Sequence, residues 1–325
     1  MDDRYSPSPL WNYNNSVKVT EEGVAKLASF KSDPVNFKLA LWDPQVNGVR
    51  YLKALIFELA SRLTPENRGR LRRIRHRETG SPISVTHDGD SVCMDYLLAV
   101  HELEFISRYV EPDGARVLEI GAGYGRTCHA ILSNHRVEEY WIIDLGRALA
   151  LSREYLRTVL DTEAFSRVRF VSVDTTDDLD RALGTARFDL CLNVDSFAEM
   201  PPETVRNYLA LIDRRCSALY VNNPVGKYLE KELDNHAQGD EVVRMALATG
   251  LLRDLLDIHD SRAVAALAPK FLSSYRPGPR WETVGDGRAV PWSYYWQAVY
   301  RRPDEPPTAG RTTGRRTGGQ RGDAA

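Results

Sequence analysis

The segment Leu118-Glu119-Ile120-Gly121-Ala122-Gly123-Tyr124-Gly125-Arg126 places three glycines at alternate positions directly after an apolar run. Glycine permits a tight turn and lets a ligand lie against the backbone with no Cβ in the way. The free N–H groups of a following helix start can face that ligand. A dinucleotide site carries GxGxxG here; in this chain the third glycine comes one residue early and Arg126 takes the sixth position. Glu119, two residues before the first glycine, suits a ligand with an ammonium better than one with a pyrophosphate. Two more acids occupy matching places, Asp144 after Ile142-Ile143 and Asp174 after Ser172-Val173. Asp144 is placed to accept both hydroxyls of a ribose, and Asp174 to hold an adenine amino group; either acid taken alone is also an ordinary helix N-cap.

A second group follows in Asn193-Val194-Asp195-Ser196-Phe197-Ala198-Glu199-Met200, with Asn222, Asn223, Lys227 and His236 further on. Asp195 and Glu199 are four apart, so a helical turn puts both on one face. Either can act as a base or hydroxyl ligand for a poorly nucleophilic acceptor. The competing reading has Asp195-Ser196 capping the next helix and Glu199 in solvent. His236 sits in a polar run and is an outside candidate for the base, and none of the histidines shows HxH or HExxH spacing.

These side chains need a parallel sheet to gather them. Short apolar segments at 117–120, 140–144, 168–173, 188–193 and 218–222 alternate with helical ones at 127–133, 147–160 and 202–212. Near-continuous apolar strands separated by helices predict a parallel sheet covered on both faces, with ligands at the carboxyl ends of its strands. Residues 228–274 read as a helical cap over those ends. Segments 281–284 and 292–300 read as two final strands turning through Gly285-Asp286-Gly287. Residues 1–95 are expected to form a helical N-terminal region, 96–301 the ligand-binding domain, and 302–325 a tail too rich in Pro, Gly, Thr and Arg to order. The aromatic residues Trp281, Trp292, Tyr294, Tyr295, Trp296 and Tyr300 serve either the pocket or the core. The basic run from Arg68 to Arg77 is either an anion patch or a solvated helix end.

Composition narrows the class. The chain has 325 residues, with 43 Lys and Arg against 45 Asp and Glu for a net charge of -2. That balance excludes a strongly basic nucleic-acid binder. No apolar run has the roughly 18 residues of a spanning helix, so no membrane is expected. The four cysteines are dispersed and the start Met1-Asp2-Asp3-Arg4 has no apolar leader, from which a cytoplasmic location follows as an expectation.

The ExGxGxG turn with acids after the second and third strands resembles the class I S-adenosylmethionine-dependent methyltransferases over roughly 96–301. Within that class, Leu118 to Gly125, Ile142-Ile143-Asp144-Leu145, Asn193 to Met200 and Leu219-Tyr220-Val221-Asn222-Asn223 resemble the sugar O-methyltransferases of natural-product biosynthesis. The resemblance implies a Rossmann-like α/β sheet of seven strands, mostly parallel with an antiparallel end. It implies S-adenosylmethionine as cofactor, held by Glu119, Gly121, Gly123, Gly125, Asp144, Asp174 and Asn193. The acceptor is then a deoxysugar hydroxyl on a small molecule or glycosylated natural product, with Asp195, Glu199 or His236 acting on it. Some such enzymes hold magnesium with an Asp pair after the fifth strand. Asn222-Asn223 stands there, and neutral amides are weak ligands for a hard dication, so no metal is expected and the amides suit acceptor hydroxyls. The alternatives are a nicotinamide-dependent oxidoreductase and a non-catalytic module that binds an adenosyl ligand.

Overall fold

A computed structural model of the chain describes residues 7–17, 25, 27–29, 31, 42–174, 179–229 and 239–303. It divides into two units, one of residues 1–62 and 82–93 and one of 63–81 and 94–325. The first unit holds helices α1 (Pro9–Val17) and α2 (Pro44–Ser61) and an antiparallel hairpin of β1 (Ser84–His87) and β2 (Asp90–Cys93). Asp43 caps α2 by accepting from Gln45 N, and Phe57 meets His87 edge-on. The helical expectation for 1–95 is thus modified at two points. A hairpin closes this unit, and α3 (Pro65–Arg73) belongs with the second.

The second unit is built on seven strands: β3 (Arg116–Ile120), β4 (Glu139–Asp144), β5 (Val168–Ser172), β6 (Phe188–Val194), β7 (Cys216–Pro224), β8 (Glu282–Arg288) and β9 (Tyr295–Arg301). Their order is β5-β4-β3-β6-β7-β9-β8; the first five are parallel, and β9 pairs antiparallel with both β7 and β8. The mostly parallel α/β sheet with an antiparallel end is the expected architecture. Order reverses at β3, which lies between β4 and β6, so the crevice beyond its carboxyl end is the topological switch point where ligands collect.

Alternate side chains of each strand enter two separate cores, as period-two geometry requires. Leu118, Ile120, Cys191, Leu219 and Val221 face one core, completed by α9 (Pro202–Arg215) and α11 (Ser261–Ser274). Val117, Leu190, Leu192, Ala218 and Tyr220 face the other, completed by α4 (Met94–Ser107), α5 (Arg126–Asn134) and α6 (Gly146–Val159). Between these elements lie two short helices, α7 (Thr162–Ser166) and α8 (Leu179–Leu183).

Two sequence expectations are corrected. Gly285-Asp286-Gly287 is not a turn but part of β8, with a register shift between Thr283 and Gly285. Glycine stands at 285 because a Cβ there would lie 2.1 Å from the Tyr109 ring. The cap is also smaller than 228–274. Val264 and Phe271 of α11 belong to the core, whereas α10 (Asp240–Ala248) has no buried residue. The tail from 304 onward and His236 lie outside the described residues.

Candidate functional site

The glycine turn leaves β3 with left-handed backbone at all three glycines, φ being 74° at Gly121, 58° at Gly123 and 95° at Gly125. At Gly121 the requirement is double. A Cβ would stand 2.1 Å from Ser196 Oγ, so the turn lies directly against the segment that follows β6. Gly123 is the open point of the turn, with nothing within 4 Å of the place a Cβ would take. Gly125 is buried against Leu156 and opens α5.

Two of the three acids gather beside this turn. Asp144 Oδ2 accepts from Gly123 N at 2.9 Å and Oδ1 from Leu145 N at 2.7 Å. Asp174 Oδ2 accepts from Gly146 N at 2.6 Å. Backbone amides thus tie the carboxyl ends of β3, β4 and β5 together through Asp144 and Asp174. Asp174 reaches to the start of α6.

Glu119 does something else. Strand alternation turns it inward, where it is 2% exposed and its Oε2 accepts from Tyr140 Oη at 2.7 Å. Burial pushes its carboxyl up to about 7, against the opposing pull of Tyr140 and Arg126. Glu119 therefore lies beneath the turn and supports it from the interior. Beside it Arg126 donates to both oxygens of Glu102 at 3.0 and 2.9 Å and to Asp95 O at 3.1 Å, while Tyr124 Oη donates to Asp95 Oδ2 at 2.6 Å. These bonds clamp α4 to the turn, a role that neighbouring sequence does not announce.

Asn193 is likewise interior. Fully buried, its Nδ2 donates to Ile120 O at 2.9 Å and to Ser196 Oγ at 2.6 Å, and its Oδ1 accepts from Asn223 Nδ2 at 2.8 Å. Asn223 Oδ1 in turn accepts from Ala198 N at 3.2 Å. Asn222, one residue earlier, points to the opposite face, where its Nδ2 donates to Glu102 and its buried Oδ1 has no partner among the described residues. The side chains of Asn193, Asn222 and Asn223 are all buried. Their positions on β6 and β7 face inward, and the network they form shapes the loop after β6.

That loop carries Asp195 and Glu199. Asp195 has φ 66° and ψ -41°, sparsely populated for a residue with a Cβ. Its backbone N–H is held by Asn222 O at 2.8 Å. A single 3-10 turn, Ser196–Ala198, then leads to Glu199. Both carboxylates line one cavity of about 450 Å³ at the ends of β6 and β7, with Lys227, Tyr228, Tyr294 and Tyr295 and the aliphatic side of α10. The capping alternative for Asp195 is not realised; its Oδ1 accepts from Tyr295 Oη at 2.6 Å. Lost solvation and the nearby Asp195 charge raise the Glu199 carboxyl above its ordinary range. Burial lowers the Lys227 ammonium, which donates to Ala198 O at 2.9 Å and Thr249 Oγ1 at 3.3 Å.

Of the aromatic group at 281–300, Trp281 and Tyr300 are core residues, and Tyr294 and Tyr295 reach the cavity. In the basic run, Arg70 bonds Asn67 and Glu66, Arg77 donates to the carbonyls of Leu71 and Ile74, and Arg73 donates to Asn134. That is the behaviour of a helix end. The described residues hold one group able to surround a metal, Glu111, Asp113 and His135. It lies by the amino end of β3, where Glu111 and Asp113 already accept from the Asp113 and Arg136 amides.

No protein-family model matches the chain, and no curated protein matches it in sequence. Among solved structures it is similar to a TehB-like SAM-dependent methyltransferase from Corynebacterium glutamicum, at 16% identity over 62% of this chain and 87% of that one, TM-score 0.38. It is similar also to the glycopeptide N-methyltransferase MtfA complexed with S-adenosylmethionine, at 15% identity over 63% and 94%, TM-score 0.40. A third is an O-methyltransferase family 2 protein from Planctomyces limnophilus in complex with apigenin, at 11% identity over 64% and 58%, TM-score 0.40. Overlap at this level assigns no activity, and the chemistry rests on the chain's own residues. Among the described residues no helix is long and apolar enough to cross a membrane.

Proposed function

We propose that the chain is an S-adenosylmethionine-dependent O-methyltransferase acting on a sugar hydroxyl, a deoxysugar of natural-product or antibiotic biosynthesis. One observation carries this reading. The glycine turn at Gly121 lies directly against Ser196, and Asp195 and Glu199, on either side of that residue's 3-10 turn, line the cavity, so the turn that Asp144 holds and the cavity are neighbours in the fold.

The donor set fits S-adenosylmethionine. Gly123 leaves open space above the turn, and Asp144 and Asp174 offer acceptors to a ribose diol and an adenine amine. GxGxG in place of GxGxxG argues against a nicotinamide dinucleotide. When bound, the sulfonium supplies an electrophilic methyl group.

The protein's own work is alignment and proton removal. In-line displacement depends mainly on holding the acceptor oxygen in place. Asp195 is the base for the acceptor hydroxyl: Tyr295 occupies its Oδ1, and among the described residues Oδ2 makes no hydrogen bond. Glu199, at the rim of the same cavity, accepts from a neighbouring hydroxyl. Lys227 holds the 3-10 turn between them through Ala198 O.

Calorimetry with S-adenosylmethionine and with NAD, followed by S-adenosylhomocysteine release with a panel of deoxysugar glycosides, tests the proposal. Binding of S-adenosylmethionine with turnover of a glycoside is expected. Binding of NAD instead sinks the cofactor assignment, and binding without turnover of any glycoside sinks the acceptor class and leaves a non-catalytic adenosyl-binding module.

A further inference from the structure

The end of α3 consumes only part of the basic run. Arg70 and Arg77 spend their guanidinium groups there, on Asn67, Glu66 and the carbonyls of Leu71 and Ile74. Arg72, Arg73, Arg75 and His76 line a cavity of about 670 Å³, together with the last turns of α5 and α6 and the start of α7. Since α5 and α6 lead into β4 and β5, this cavity lies at the amino ends of the strands. The glycine turn is at the other end of the sheet, past the carboxyl end of β3.

The two sides of the cavity differ. On one side three guanidinium groups and an imidazole fall within positions 72 to 76, and all four residues are exposed. Arg73 is anchored there by donating from Nε to Asn134 Oδ1 at 2.8 Å. The dipole of α3 accounts for cations in its last turn, Arg72 and Arg73, and its reach ends with that turn. Arg75 and His76 stand past the Ile74 cap, and His76 takes a left-handed φ of 56°. Among the described residues the lining includes one acid, Asp161, which caps α7 by accepting from Ala164 N at 2.8 Å. Three guanidinium charges against one carboxylate in a concave surface focus a positive field, on a chain whose net charge is -2. On the other side Leu132, Leu160 and Ala164 are half-buried and apolar.

We propose that this cavity binds a nucleoside diphosphate, in a site separate from the glycine turn. Guanidinium groups match phosphate oxygens in charge and in bidentate geometry. The base then covers the apolar side, and the volume is that of a small-molecule pocket. A bare phosphate would leave that side uncovered.

Isothermal calorimetry on the full chain with ADP, pyrophosphate and adenosine is the test. ADP should bind, and pyrophosphate about tenfold more weakly, because it leaves the apolar side uncovered. Raising ionic strength from about 0.01 M to about 0.15 M shortens the screening length from about 30 Å to about 8 Å, which should weaken ADP and leave adenosine unchanged. Arg75→Ala should weaken ADP about tenfold, the value of one charge-assisted contact. Its urea midpoint should match that of the wild type, since Arg75 is exposed. Asp144→Ala, at the glycine turn, should leave the ADP Kd unchanged. No ADP binding, or an ADP Kd indifferent to Arg75→Ala, overturns the site. A Kd that moves with Asp144→Ala and not with Arg75→Ala places the nucleotide at the glycine turn and overturns it as well. Equal affinity for pyrophosphate and ADP overturns the nucleoside assignment. S-adenosylhomocysteine release, measured separately, reports on methyl transfer whichever way these results fall.

Discussion

Tyr295 Oη donates to Asp195 Oδ1 at 2.6 Å across 100 positions of sequence, joining the first residue of the antiparallel strand β9 to the loop after parallel β6. The bond orients a carboxylate whose backbone already sits in a rare conformation, and it leaves Oδ2 without a hydrogen bond among the described residues. The Asp195 charge, added to burial, in turn holds the Tyr295 phenol well above its ordinary range, so this phenol remains a donor. Tyr295→Phe should lower kcat about tenfold, the value of one hydrogen bond to a charged group. S-adenosylmethionine affinity should be unchanged by calorimetry. Asp195→Asn should lower kcat by about a hundredfold or more, as loss of a general base does. Equal activity of Asp195→Asn and wild type would remove Asp195 from the chemistry.

Asp144 holds the amides of Gly123 and Leu145 with its two carboxylate oxygens. Asp144→Ala should weaken S-adenosylmethionine binding by about a hundredfold, since two hydroxyl contacts and the anchor of the turn are lost together. Isothermal calorimetry measures this directly, and an unchanged Kd places the ligand elsewhere.

Gly121 is the position least able to accept a side chain. Gly121→Ala forces a Cβ into Ser196 at φ 74° and should cost about 2–3 kcal/mol of stability in urea unfolding. Part of that cost is contact with Ser196 Oγ and Cβ, both within 2.4 Å. Adding Ser196→Gly should therefore restore part of the loss, and strictly additive effects of the two changes would contradict the packing.

Glu119 sets a pH dependence of folding. Its carboxyl is raised from 4.5 to about 7 in the folded chain. Between those values the folded state binds more protons than the unfolded one, so stability falls as pH rises. The contribution is fully present below about pH 4.5 and lost as pH passes through about 7, with a total of about 3 kcal/mol. Glu119→Gln keeps the shape and cannot ionise, so its denaturant midpoint should vary less over this window than that of the wild type. A wild-type midpoint flat between pH 4.5 and 7 would show that Glu119 titrates normally.

The parallel strands and the helices between them were legible because each is encoded locally. Val117 to Ile120 and Phe188 to Asn193 are apolar runs bounded by turn residues, and burial on both faces demands such runs. GxGxG identified its own turn because positive φ is a local property of glycine. Gly285-Asp286-Gly287 misled for a related reason: glycine marks a turn or a close approach equally well, and only the distant Tyr109 ring distinguishes them.

Taken alone, the sequence determined the fold class, the glycine turn and the acids near it, since period and residue type suffice for these. The tertiary structure alone decided what each polar group faces. Glu119, Asn193, Asn222 and Asn223 are buried side chains bonded within the protein, because a strand sends neighbouring side chains to opposite faces and both faces here are covered. Asp195 and Glu199 share a cavity with Tyr295 and α10 because β9 returns beside β7 antiparallel. That pairing is a long-range contact, set by the packing of the whole sheet, and no local pattern encodes it.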